Sequence, residues 1–217
     1  MKGKQTMKKM FSLALVCAAA SLAAVDFDFT ANPPVAKGKV PMVKLDPSRK
    51  IGGSAGRSAL HFDGADKALS IPGTADFTLD KGVTLAFDGV LEKKTDSKGD
   101  LHMLFMKNRE WLVGYSNKRF YINFTDGKKW QAGYYCNADL SQPHRYVITI
   151  SPEQKIKIWR DGKLYHDGSM KKWRAKPAVG KSDVSLGCQW GHWGIKGDIF
   201  RVRIAKGVLP DAEIKGF

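Results

Sequence analysis

The feature that most constrains this chain is an alternation of apolar and polar residues interrupted by Asp-Gly. Phe120-Tyr121-Ile122-Asn123-Phe124-Thr125 alternates with period two, breaks at Asp126-Gly127, and resumes over 130–135. Such alternation buries one face of an extended strand, and Asp-Gly supplies the residues that a tight hairpin turn accepts at positive φ. The same pattern returns in residues 146–150 and 155–159, turns at Asp161-Gly162 and continues through Lys163-Leu164-Tyr165. Further Asp-Gly pairs begin at Asp63, Asp88 and Asp167. No stretch of about a dozen residues keeps the i, i+3, i+4 apolar spacing of an amphipathic helix. Only Pro210-Asp211-Ala212-Glu213-Ile214, with proline at the first helical position, predicts a short helix. The fold class is therefore all-β. Strands at this spacing must bury two apolar faces against each other, which favours a two-sheet antiparallel sandwich over an open sheet. Gly52-Gly53-Ser54-Ala55-Gly56 and the charged segment 92–100 read as surface loops.

The beginning of the chain has a different grammar. Lys2, Lys4, Lys8 and Lys9 precede a short apolar run that passes through Cys17-Ala18-Ala19-Ala20 into Ser21-Leu22-Ala23-Ala24. A basic start, a short apolar centre and small residues at the end make an export signal. A permanent membrane anchor needs about 20 strongly apolar residues, whereas this run is Ala-rich and meets Asp26 and Asp28 at once. Val16 before Cys17 does not match a lipoprotein site. The expectation is a cleavable signal over 1–24, one domain over 25–217, no membrane anchor, and a periplasmic or secreted location. About 190 residues remain, enough for one core. With 43% hydrophobic and 26% charged residues the chain is neither a disordered tail nor a multi-span membrane protein. Removing the four leader lysines takes the net charge from +15 to +11, which is still strongly basic. Cleavage also removes Cys17 and leaves Cys136 and Cys188. In an oxidising compartment these two predict a disulfide, with two buried free thiols as the alternative. No C-x-x-C or His pair accompanies either, so neither reads as a metal ligand.

Several segments, in order, resemble one family. Ala59-Leu60-His61-Phe62-Asp63-Gly64 with Leu69-Ser70-Ile71-Pro72, then Phe77-Thr78-Leu79 with Val83-Thr84-Leu85-Ala86-Phe87, are similar to successive strands of the laminin-G-like jelly rolls. These belong to the concanavalin A-like lectin/glucanase superfamily. Ile158-Trp159-Arg160-Asp161-Gly162-Lys163 resembles the family's hairpin, and Ser185-Leu186-Gly187 its next strand. Gly197, Val202-Arg203-Ile204, Leu209 and Ala212-Glu213-Ile214 resemble its ending. The resemblance implies a concanavalin A-like, two-sheet antiparallel jelly-roll β-sandwich.

The departures from the family pattern bear on chemistry. Acidic residues that often complete a calcium site in relatives are replaced here by Phe200 and Arg201, while Asp63, Asp66 and Asp198 remain. A calcium ion wants six to eight oxygens, so the substitution of a guanidinium argues against a strong site, and no cofactor is expected. Related glucanases carry their acids as E-x-D-x-x-E. The glutamates Glu92, Glu110, Glu153 and Glu213 show no such spacing, so the paired carboxyls of a glycosidase are not legible. Gly52-Gly53-Ser54-Ala55-Gly56 satisfies G-x-S-x-G formally, but a strand follows it where a nucleophile elbow requires a helix. The five histidines show no H-x-x-H spacing. The chain reads as non-catalytic.

What remains is binding. Sugar sites stack rings on aromatic side chains and bond hydroxyls with polar groups. In Cys188-Gln189-Trp190-Gly191-His192-Trp193-Gly194 two tryptophans and a histidine are interleaved with glycines, which suit a loop better than a strand. A Cys136–Cys188 bridge would set this loop beside Tyr134, with Trp130 on the same hairpin. Lys171, Lys172 and Arg174 lie in a run rich in basic residues. The candidate ligand-binding residues are thus Trp190, Trp193, His192, Trp130, Tyr134, Lys171, Lys172 and Arg174. The implied partner is carbohydrate, with acidic polysaccharide favoured by the charge; export removes cytoplasmic nucleic acid. A structural envelope protein with a protein partner, and a divergent polysaccharide-active enzyme, stay open as alternatives. Trp159 reads as a packing residue.

Overall fold

The computed structural model describes residues 24–30, 35–37, 51–54, 56–64, 69–71, 75–94, 101–169, 176–187 and 193–217. The strands are β1 (Ala24–Asp28), β2 (Val35–Lys37), β3 (Ile51–Ser54), β4 (Arg57–Asp63) and β5 (Leu69–Ile71), followed by β6 (Val83–Leu91), β7 (Leu101–Lys107) and β8 (Trp111–Ser116). Then come β9 (Arg119–Thr125), β10 (Trp130–Asn137), β11 (His144–Ile150), β12 (Lys155–Arg160), β13 (Lys163–Ser169), β14 (Val184–Leu186), β15 (Lys196–Lys206) and the helix α1 (Asp211–Gly216). Among the described residues one sheet has the order β13-β12-β11-β6-β15-β1-β2, with β4 on the first half of β15 and β3 on β4. The other has the order β10-β9-β8-β7-β14-β5. All pairings are antiparallel, and the two sheets form a β-sandwich as the alternation predicts.

One face of each sheet supplies the core. Val83, Leu85 and Phe87 of β6 are buried in one cluster with Trp111 and Val113 of β8 and Phe120, Ile122 and Phe124 of β9. β6 is also covered behind, where Ala86 packs with Val147, Trp159 and the Ile214 and Phe217 side chains of the α1 end. This explains why α1 forms where the pattern predicts it: a helix this short needs an apolar sheet face to lie on. It also makes Trp159 a packing residue, 5% exposed. Gly197, part of the family-like ending, has φ +131°, and a Cβ there would lie 2.2 Å from the Val90 carbonyl. Only glycine fits that approach of β15 to β6.

Two expectations are corrected. Phe77-Thr78-Leu79 is not a strand: Phe77 has φ 57° and Leu79–Lys81 is one 3₁₀ turn. The turn is fixed by the Trp111 Nε1 donating to the Phe77 carbonyl at 2.8 Å, a tertiary contact with no local signature. The glycine-rich stretch is likewise not all loop. Ile51–Ser54 is strand β3, pairing Gly52 with Ala59 and Gly53 with Ser58. Its ladder to β4 supplies the order that glycine by itself does not.

Candidate functional site

The face of the second sheet that points away from the core is the strongest candidate. Side chains alternate on β9, so Tyr121 and Asn123 point outward between the core residues Phe120, Ile122 and Phe124. Leu112 does the same on β8 and Met103 on β7, and these three strands form an apolar floor of Met103, Met106, Leu112 and Tyr121. The Tyr121 ring lies over Gly114, directly opposite it in the ladder, where a Cβ would come within 1.9 Å of the ring. A ring laid on a glycine is held flat by the missing side chain.

Part of this floor is roofed. Trp193 and Leu101 pack against it. The Trp193 carbonyl accepts from Met103 N at 2.7 Å, and Gly187 N donates to the Leu104 carbonyl at 2.9 Å, so both flanks of the segment 188–192 are tied to adjacent residues of β7. Lys94 braces the same place. Its buried ammonium donates to the Leu101 carbonyl at 3.0 Å and the Gly194 carbonyl at 3.2 Å.

The other part is open. Trp130 is 44% exposed and Tyr135 58%, although both belong to β10. They stand opposite Thr125 and Tyr121. Tyr121 is an outward residue, and Thr125 follows the core residue Phe124, so Trp130 and Tyr135 share the outward face. Tyr134 stands opposite Ile122 instead. Strict alternation from Trp130 selects Tyr134; the ladder slips between Ala132 and Tyr134, and the extra residue, Gly133, moves Tyr135 onto the face. Glycine inside a strand is the signal that could have found it. The face is basic at both ends. Lys128 and Lys129, exposed in the turn before Trp130, are ordered by backbone N–H groups donating to Asp126 Oδ1, each at 2.9 Å. Those bonds hold the Asp126 carboxyl below its usual range. Arg119, also exposed, lies opposite Asn137 beyond Tyr135.

Of the residues selected from sequence, Trp193 and Trp130 are thus on one sheet face, but beside β7 and on β10. Three strand spacings, about 14 Å across the sheet, separate them, and the register sets Trp130 about four residues further along the strands than Met103, to which Trp193 is bonded. Trp190, His192, Lys171, Lys172, Arg174 and Cys188 lie outside the described residues. Cys136 is a buried free thiol, with its Sγ donating to the Asn137 carbonyl at 3.3 Å; its expected disulfide partner, Cys188, is outside the described residues.

Carboxylates on the first sheet are engaged with basic side chains. Asp26 accepts from Arg203 at 2.8 Å and Asp88 from Arg57 at 2.6 Å. Asp198, a candidate calcium ligand, lies 2.8 Å from His61 Nδ1, and Asp66 is outside the described residues. Among the described residues no group of three His, Cys, Asp or Glu side chains converges to hold a metal.

No protein-family model and no curated protein sequence matches this chain. Solved structures do. The binding domain of botulinum neurotoxin serotype G superposes with a TM-score of 0.67 at 9% identity, covering 88% of this chain and 49% of that one. The binding domain of Paraclostridial Mosquitocidal Protein 1 gives 0.60 at 12%, covering 90% of this chain and 51% of that one. Domain 4 of AbnA, a GH43 extracellular arabinanase from Geobacillus stearothermophilus, in complex with arabinotriose, gives 0.60 at 12%, covering 89% of this chain and 98% of that one. The chain therefore spans about half the length of the toxin domains and nearly all of the arabinanase domain. At these identities the likeness shows the fold: a β-sandwich of the kind found in binding domains.

Proposed function

We propose that this protein is an exported, non-catalytic carbohydrate-recognition module of laminin-G-like type, favouring acidic polysaccharides. The signal over 1–24 is removed and 25–217 act as one domain. The observation that carries the reading is the pair of exposed rings, Trp130 and Tyr135, beside a sheet face whose other half is covered. Exposed aromatics that share one face, with polar groups among them, suit stacking on sugars. The arabinanase domain, whose structure holds arabinotriose, supports the class of ligand. The basic ends at Lys128, Lys129 and Arg119, with Lys171, Lys172 and Arg174, support the preference for acidic chains. The toxin binding domains keep a protein partner in view, and one test separates the two.

That test is a glycan array on the exported form, followed by titration at rising salt. Retention of uronate or sulfated polysaccharides should fall steeply with ionic strength, because exposed charges more than about 8–10 Å apart are screened near physiological salt. A salt-resistant remainder should be lost in Trp130→Ala/Tyr135→Ala. If no glycan is retained, or the double variant binds as the parent does, the carbohydrate reading fails and the protein-partner reading replaces it.

A further inference from the structure

Resting on the carbohydrate reading of this face, we propose that the site takes an extended, unbranched oligosaccharide lying along β10, and that Asn123 reads one of its hydroxyls between two stacking rings. The ladder sets the geometry. Trp130 stands opposite Thr125 and Tyr135 opposite Tyr121, so the two positions are four residues of β9 apart. At about 3.3 Å per residue they are separated by about 13 Å, the length of about three sugar rings in an extended chain. One sugar cannot touch both rings, and a compact branched glycan cannot lie along a strand. The bulge at Gly133 is what makes the pair: without it Trp130 and Tyr135 would lie on opposite faces.

Between the two rings the register places Asn123, opposite Ala132 on one side and Leu112 on the other. Its Oδ1 is buried and accepts no hydrogen bond. An amide oxygen shielded from water and without a donor is uncommon in a folded protein and asks for an explanation, which its place between two exposed rings offers. The residue as a whole is only partly buried, so a turn of the amide presents it at the surface. A sugar hydroxyl held between the rings is a donor of the right chemistry, and sugar hydroxyls are the donors a stacked ligand brings with it. The cations beyond each ring, Lys129 and Arg119, then meet the ends of the ligand, which places the preference for acidic groups at the outer sugars.

Calorimetric titration with two linear series, oligo-uronates and neutral gluco-oligosaccharides of one to six units, tests this. Affinity for the preferred series should rise at least tenfold from one unit to about four and then level off. Trp130→Ala and Tyr135→Ala should each flatten that rise, because each leaves one ring and no span. Asn123→Ala should weaken the longer ligands about tenfold while leaving the melting temperature unchanged or raised, since it deletes an oxygen that folding leaves unsatisfied. A structural role for Asn123 would instead lower the melting temperature and leave affinity alone. If a single sugar binds as tightly as the tetramer, or the ring variants keep the rise, the extended track is wrong although the carbohydrate reading stands. If neither series binds, or binding ignores both rings, the carbohydrate reading itself fails.

Discussion

Lys107 and Glu110 form an ion pair sealed inside one end of the sandwich. Their side chains are 0% and 2% exposed, with Nζ 2.9 Å from Oε1. The ammonium also donates to the Gly180 carbonyl at 3.0 Å and the Asp76 carbonyl at 3.2 Å, so two backbone oxygens brace it beside the carboxylate. The carboxylate has no comparable support: both of its oxygens are buried, and neither has a hydrogen-bond donor, so the ion pair with Lys107 is what holds it. Burial lowers the Lys107 pKa, and Glu110 opposes that shift without cancelling it. Lys107→Met keeps most of the stem volume and removes the charge, which strands a buried carboxylate. Breaking a buried pair in this way costs about 3–5 kcal/mol, whereas replacing both partners with apolar groups is often close to neutral. Lys107→Met/Glu110→Leu should therefore recover most of the loss, though the two abandoned carbonyls keep it somewhat below the parent. For a domain of this size 1 kcal/mol corresponds to about 2–4 °C, so the single variant should melt about 10 °C lower. Urea unfolding with matched slopes gives the cycle directly. The pH dependence supplies a second check. In the parent the depressed lysine leaves the unfolded state with more bound protons, so stability should rise with pH between its lowered pKa and 10.5, and Lys107→Met should lose that rise. A single variant that loses less than about 1 kcal/mol, or a double variant as unstable as the single, would refute the claim that the two charges depend on each other.

Gly197→Ala should be among the most damaging single changes, because the new Cβ meets the Val90 carbonyl at 2.2 Å and the Leu91 Cα at 2.9 Å, both backbone atoms that cannot rotate away; a melting temperature within a few degrees of the parent would show that β15 shifts freely. Asp139 is held at about 2 by the Ser141 hydroxyl and backbone N–H, which donate to its Oδ1 at 2.6 and 3.0 Å. Its contribution should be complete above the unfolded value near 3.8 and lost as pH falls through about 2. The urea midpoint of Asp139→Asn should accordingly fall less between pH 4 and 2 than that of the parent, and parallel curves would contradict this. Burial pushes the Cys136 thiol up, so it should resist a thiol reagent until the protein unfolds, and fast labelling of the native protein at this cysteine would contradict the packing.

The hairpins were legible in the sequence because their information is local. Asp161 and Gly162 take φ 51° and 77°, both positive, as a two-residue turn between alternating strands requires. Asn117 and Lys118 make the same kind of turn at 50° and 58°, joining β8 to β9 without a glycine, and that hairpin has no comparable signature. α1 was foreseeable from the segment Pro210-Asp211-Ala212-Glu213-Ile214, whose proline stands at the helix start, and the basic balance from composition. Side-chain period, turn chemistry and charge are properties of neighbouring residues, and they determined the class, the β9–β13 strands and the existence of two apolar faces. Sheet order is not such a property. It set Cys136 four strands from the residues that lead to Cys188, and it laid Trp193 over β7 instead of beside β10. A single inserted glycine at the β10 bulge brought Tyr135 onto the exposed face. Whether a strand slips by one residue, and which strand lies beside which, depends on packing between segments far apart in the chain. The sequence therefore determined that aromatic residues would be available for binding, and only the tertiary structure decided that, among the described residues, Trp130 and Tyr135 share an open face.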